Sequence, residues 1–178
     1  MPAAPAPPRL MAPQTIDDLL LYRVSRLLAV SGGIVIRYCE GRFGITRREW
    51  RVLALLADRG PLGSSELAAQ AQLDRPRTSK AVTALVGKKL VSRTPRPCDA
   101  RYIELALTPA GRVLYDELFP LVTQVNHDVL AVLSVSEVAQ LDDMLARLHQ
   151  RSVQMVAGAE LPLADRRHGG SARHRRAG

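Results

Sequence analysis

Residues 74 to 89 read Asp-Arg-Pro-Arg-Thr-Ser-Lys-Ala-Val-Thr-Ala-Leu-Val-Gly-Lys-Lys, and no other stretch restricts the fold as strongly. Asp74 is a good N-cap and Pro76 suits a first helical turn, so a helix starts here. Val82, Leu85, Val86 and Lys89 follow at the three- and four-residue spacing of one helix face. The N-terminal part of the opposite surface concentrates Arg75, Arg77, Ser79, Lys80 and Thr83, donors for phosphate oxygens and for the acceptor edges of bases. The stretch has the chemistry of a helix that enters a groove.

Its flanks make the reading more specific. Ser64 to Ala69 predict a short helix opened by a serine cap, and Gln70 to Leu73 supply a tight turn into the next helix, which is helix-turn-helix spacing. After Leu90 the pattern becomes extended: Val91 to Thr94, a turn from Pro95 to Arg101, then Tyr102 to Leu107 with period-two alternation. Two helices followed by a hairpin with a basic tip form a winged helix, in which the helix takes the major groove and the wing reaches backbone or minor groove. Candidate DNA contacts are Ser64, Arg75, Arg77, Thr78, Ser79, Lys80 and Thr83 on the helices, with Arg93, Arg96 and Arg101 on the wing.

Leu90-Val91, Arg93, Asp99-Ala100-Arg101 and Leu105-Ala106-Leu107-Thr108-Pro109-Ala110-Gly111 resemble the wing signature of MarR-type transcriptional regulators. Trp50-Arg51-Val52-Leu53 resembles the helix that precedes their DNA-reading unit, and the likeness extends over roughly residues 15 to 157. The resemblance implies a mainly α fold with a small β-hairpin wing, and N- and C-terminal helices that form a homodimer. It also implies a double-stranded DNA operator as partner, and a small aromatic effector, a phenol or carboxylate, held between the dimerisation helices and the reader. Candidate effector contacts are Tyr22, Arg23, Arg26, Tyr38, Trp50, Arg51 and Tyr115, which offer aromatic faces and guanidinium forks. The peroxide-sensing branch carries a reactive cysteine early in the first helix, and this chain has Leu or Val there.

The distribution of charge agrees with a DNA reader. The chain carries a net charge of +8, of which residues 46 to 108 hold +6 and residues 158 to 178 hold +3, so the remainder is close to neutral. A polyanionic partner is favoured, although the charge by itself does not separate DNA from RNA or anionic lipid. An effector-free architectural or RNA-binding protein is therefore the competing reading. Two cysteines, Cys39 and Cys98, do not make a disulfide framework. No apolar run approaches the roughly 18 residues of a membrane span and residues 1 to 13 lack signal-peptide character, so the expected location is cytoplasmic without membrane association.

The rest of the chain divides into an Ala- and Pro-rich arm over residues 1 to 13 that is expected to be disordered, a dimerisation helix over 14 to 45, the reader over 46 to 108, C-terminal dimerisation helices over 109 to 157 and a basic tail over 158 to 178 that is also expected to be disordered. The first helix, expected from Thr15 to near Gly41, is apolar over so wide a face that it predicts burial against two bodies, and Gly32-Gly33 predicts a bend or a close contact. Thr46 with Glu49, and Ser134 with Glu137, are capping boxes; Thr108-Pro109 is another start signal. Pro120 should kink the helix that follows Pro109. Val138, Leu141, Leu145, Leu148 and Met155 read as a coiled-coil-like seam.

No P-loop, GxSxG elbow or HExxH occurs, so neither an enzyme nor a bound cofactor is expected. No metal site is assigned. Cys39 as a thiol switch, and His127 and His149 meeting Glu40 or Cys39 around zinc, are the alternative response chemistries within the same fold.

Overall fold

The computed structural model describes residues 7 to 71, 74 to 96 and 99 to 158, with the side chains of residues 96 to 101 outside the described set. Pro8 to Ala12 form a hydrogen-bonded turn, and the Arg9 guanidinium lies 2.8 Å from Oδ1 of the buried Asp18. The end of the Ala- and Pro-rich arm is thus tethered to the structure behind it. Backbone N–H groups of Gln14 and Thr15 and the Thr15 hydroxyl donate to Oδ2 of Asp18, and the Gln14 bond foremost holds that carboxyl below its ordinary value.

The first helix differs from expectation at both ends. Thr15 caps only a 3₁₀ turn, Ile16–Asp18; Leu19 is extended, and α1 then runs over Leu20–Arg37. A π-turn over Tyr38–Arg42 finishes it, and Gly44 at φ +62° reverses the chain so that Ile45 N–H donates to the Cys39 carbonyl. The Gly32-Gly33 pair leaves α1 unbroken. No residue of α1 is buried, and Leu21, Leu27 and Val30 are more than half exposed.

Helix α2 spans Arg47–Arg59 and opens on the predicted capping box: the Thr46 hydroxyl accepts from Glu49 N–H at 3.2 Å and Glu49 Oε2 accepts from Thr46 N–H at 2.8 Å. Gly60, at φ +79°, ends it. The next two residues form a short strand that sequence patterning does not reveal: β1, Leu62–Gly63, pairs antiparallel with residues of a strand some forty positions later. Helices α3, Ser64–Ala71, and α4, Arg75–Gly87, follow, and then β2, Val91–Arg96, and β3, Asp99–Leu107. The sheet has the order β1-β3-β2, with an irregularity between Pro95 and Arg96. Val52, Leu53, Leu56, Leu67, Leu85, Val91, Leu105 and Leu118 form one core shared by α2, α3, α4, the sheet and the next helix, α5, Pro109–Leu130.

The join between α4 and the wing is built by hydrogen bonds. Lys89 adopts φ +59°, Lys89 N–H donates to the Val86 carbonyl and Leu90 N–H to the Leu85 carbonyl, which is a Schellman closure without glycine. Thr108 then caps α5, Pro109–Leu130, accepting from Gly111 N–H while its hydroxyl donates to the Lys89 carbonyl. A Cβ on Gly111 would collide with the Leu90 carbonyl oxygen, so the glycine is what lets α5 start against the base of the wing. Helix α5 continues through Pro120 as one element. Helix α6, Val135–Gly158, belongs to a separate compact unit that begins at Val132. Its capping box is formed, with Glu137 Oε2 accepting from Ser134 N–H and Oγ at 2.8 Å each, and none of its residues is buried.

Candidate nucleic-acid interface and adjoining cleft

The orientation of α4 is fixed by what it buries. Thr78, Ala81, Val82 and Leu85 face the core, which leaves Arg75, Arg77, Ser79, Lys80 and Thr83 exposed. Asp74 Oδ1 accepts from Arg77 N–H at 2.8 Å while Oδ2 lies 3.3 Å from Arg77 Nε, so the cap also restrains the arginine. Thr78 departs from the sequence expectation in part: it is 3% exposed and its hydroxyl donates to the Asp74 carbonyl, so it holds the first turn, while it also lines the small cleft at the start of α3. Its place next to the exposed Arg77 and Ser79 was ambiguous because one helical position decides between surface and core.

Ser64 and Ser65, at the start of α3, share a cleft of about 180 Å³ with Arg75, Ser79 and Arg93. Arg93 extends from β2 and donates from Nη2 to the Thr83 hydroxyl at 3.1 Å, which ties wing and helix together. Arg96 and Arg101 carry side chains outside the described residues. On the other flank of α4, Lys88 Nζ lies 2.7 Å from both the Gly44 carbonyl and Oε2 of Glu49, which is 6% exposed. The α2 capping box is therefore bonded to the C-terminal end of α4. A buried carboxylate without such a partner would be costly.

A second, larger cleft of about 540 Å³ lies where α1, α2 and α5 converge. Helix α1 contributes Leu28, Gly32 and Val35; α2 contributes Arg47, Trp50, Arg51, Ala54, Leu55 and Asp58; α5 contributes Tyr115 and Phe119. The Trp50 and Tyr115 rings stack with centroids 5.7 Å apart, and Tyr115 and Phe119 at 5.2 Å, so one wall is a ladder of three aromatic rings. Trp50, Arg51 and Tyr115 are thus gathered as expected. Tyr22, Arg23, Arg26 and Tyr38 are not. Arg26 is turned to Asp17 at 2.7 Å and lies over the Tyr22 ring, Arg23 is exposed on α1, and Tyr38 packs against the core. None of the four lines the cleft.

Arg47 and Phe119 were missed by sequence reasoning, although a signal exists. Arg47, Trp50, Arg51, Ala54 and Asp58 recur at three- and four-residue spacing on α2, and Tyr115 and Phe119 at four on α5. Among the described residues Arg47 has no carboxylate within ion-pair distance, whereas Arg51 donates to the Ala71 carbonyl at 3.1 Å. Gly32 leaves room for Arg47: a Cβ there would stand 3.3 Å from its Nη1. The cleft combines apolar walls with guanidinium donors, the composition of a site for an amphipathic anion.

Cys39 is fully buried, and its thiol is pushed up to about 11, first by removal from water and then by the charge of Glu40. A thiol so held is a poor nucleophile. Among the described residues no group of three or more His, Cys, Asp or Glu side chains converges to hold a metal ion. No single helix among them is long and apolar enough to cross a membrane.

Comparison with known proteins agrees with this geometry. A family model described as the MarR family matches residues 43–101. The HTH-type transcriptional regulator FarR of Neisseria gonorrhoeae is 36% identical over 104 residues, 58% of this chain and 71% of that protein. The crystal structure of NadR in complex with 4-hydroxyphenylacetate is 29% identical, covers 83% of this chain and 97% of its own, and superposes with a TM-score of 0.59. A MarR/EmrR family transcriptional regulator from Acinetobacter sp. ADP1 shares the fold at a TM-score of 0.72 with 23% identity, over 79% of this chain and 99% of that one.

Proposed function

The chain belongs to the MarR family of DNA-binding transcriptional regulators, which are not enzymes, and on that premise we propose that it is an effector-released repressor acting on a pseudo-palindromic operator as a homodimer. Two chemical features support the reading. Helix α4 presents Arg75, Arg77, Ser79, Lys80 and Thr83 together on its exposed side, with Arg93 of the wing bonded to it, the donor set that major-groove reading requires. The cleft beside α2 supplies an apolar, aromatic-walled space with an uncommitted arginine.

The second of these is the observation that carries the effector. Trp50, Tyr115 and Phe119 give the cleft an aromatic wall against which a ring packs and Arg47 offers a fork to a carboxylate, so a small aromatic acid or phenol is the class that fits. NadR, a relative at 29% identity, has been crystallised with 4-hydroxyphenylacetate, a ligand of that class. Dimerisation is supported by the exposed apolar surfaces of α1 and, separately, of α6, where Leu145, Leu148 and Met155 are 43–57% exposed; surfaces of that kind mark association sites.

The deciding experiment is a thermal-shift screen of small aromatic acids, followed by duplex binding in the presence of each stabilising compound. Stabilising compounds should weaken operator binding, and by linkage the operator should weaken compound binding by the same factor. Stabilisation without any change in DNA affinity would refute the allosteric reading. Equal affinity for selected and random duplexes at matched salt would instead favour an architectural protein, since specific binders exceed their non-specific affinity by ~10³–10⁷.

A further inference from the structure

Between α4 and the first turn of α2, three cations stand around one cleft. Arg48 from the first turn of α2 and Arg77 and Lys80 from α4 line a space of about 200 Å³ together with Thr46, Glu49 and Ala84. Glu49 is the carboxylate of this lining, and it is already engaged by Lys88 Nζ at 2.7 Å and by Thr46 N–H at 2.8 Å. Arg77 is held by Asp74, while Arg48 and Lys80 are exposed and have no ion-pair partner among the described residues. Arg48 and Lys80 therefore stand about one small cleft without a counter-charge of their own, and the positive end of the α2 dipole adds to the same potential.

We infer that this cleft seats a backbone phosphate of the duplex, with Arg48 as a DNA contact that lies outside the helix-turn-helix and the wing. The inference rests on the DNA-binding reading and extends it. If α4 fills a major groove, one bordering strand passes Ser64 and Arg93, and the other passes the opposite flank of α4, where the first turn of α2 stands. Arg77 and Lys80 connect the two roles, since they belong both to the exposed side of α4 and to this cleft. A strand that carries a phosphate charge at every nucleotide cannot run past three cations without neutralising some of them. Arg48 thereby clamps the reader from the side opposite the wing and sets its depth, a positioning contact without base information.

The test uses the full-length protein and a random-sequence DNA duplex, because a phosphate contact is independent of base sequence. Binding is followed by fluorescence anisotropy across a salt series. Arg48→Ala should reduce the slope of log affinity against log salt by about 0.9, the value for one phosphate contact, with an unchanged melting temperature because the side chain is exposed. Arg48→Lys should restore the slope. Arg59→Ala, at the far end of α2 and paired with Asp58, should leave it unaltered. A wild-type slope in Arg48→Ala overturns the inference while leaving the DNA-binding reading intact, and a wild-type protein that binds no duplex defeats the reading itself. Equal slope losses in Arg48→Ala and Arg59→Ala would also overturn it, since they would report a diffuse charge effect and no seat.

Discussion

The guanidinium of Arg51 donates to the carbonyl of Ala71 across 3.1 Å, and so joins the wall of the larger cleft to the last residue of α3. Ala71 stands three positions before Asp74, the cap of α4. An anionic ligand in the cleft would compete for the same guanidinium, and a carboxylate is a stronger acceptor than a peptide carbonyl. Withdrawal of Arg51 would release the C-terminal end of α3.

The first prediction follows from that competition. In Arg51→Leu, aromatic acids should still pack against the aromatic wall of the cleft, yet their effect on DNA affinity should fall from the ~5–150-fold typical of allosteric coupling towards none. Anisotropy titrations with and without the acid measure the factor. Undiminished release by the acid would show that Arg51 is not the connection.

Gly111 should tolerate no side chain. A Cβ there meets the Leu90 carbonyl oxygen, a backbone atom at the base of the wing that cannot rotate away as a side chain could. Gly111→Ala should therefore destabilise the fold by about 1–3 kcal/mol through overpacking, read as a lower urea midpoint, and should weaken duplex binding because the wing is displaced. A midpoint at or above that of the wild type would contradict the packing described for α5.

Lys89 should behave in the opposite sense. Its φ of +59° costs an L-residue roughly 1–2 kcal/mol, while glycine gives back about 0.4–1 kcal/mol through a freer unfolded chain. Lys89→Gly should then raise stability by up to ~1.6 kcal/mol in urea melts, since its carbonyl bond to Thr108 is retained. A destabilised variant would mean that the lysine side chain contributes more than the strain removes.

The Cys39 thiol gives a pH-dependent contribution whose sign is fixed by linkage. Its native value lies near 11 against an ordinary 9.0, so the native state keeps a proton that the unfolded chain has already released. That stabilisation is whole below about pH 9 and is lost as pH climbs to about 11. Comparing melts of the wild type and Cys39→Ala over this interval isolates the contribution, because a cavity penalty does not depend on pH. The difference between the two should shrink as pH rises. A difference that grows would point to a stabilised thiolate and reopen the thiol switch.

The chain's local signals were legible as far as they are local. Asp74, Thr46 and Ser134 each place a side-chain acceptor three residues ahead of an orphan backbone N–H, and each helix start was readable for that reason. Likewise the Arg47, Trp50, Arg51, Ala54 and Asp58 stripe is written into the period of α2. Whatever depended on a partner distant in sequence could not be read. The two residues of β1 are a strand only because Leu105 and Glu104 lie opposite them. Arg47 lines the cleft because Gly32 leaves it space, and Tyr22 does not because its part of α1 stands elsewhere. Thr78 is withheld from the surface by the core packing of α4, although its neighbours 77 and 79 are exposed. Side-chain type and spacing determine which helices form and where they begin, because capping and periodicity act within one or two turns; which faces meet is decided by burial summed over the whole core, a quantity that no single stretch contains.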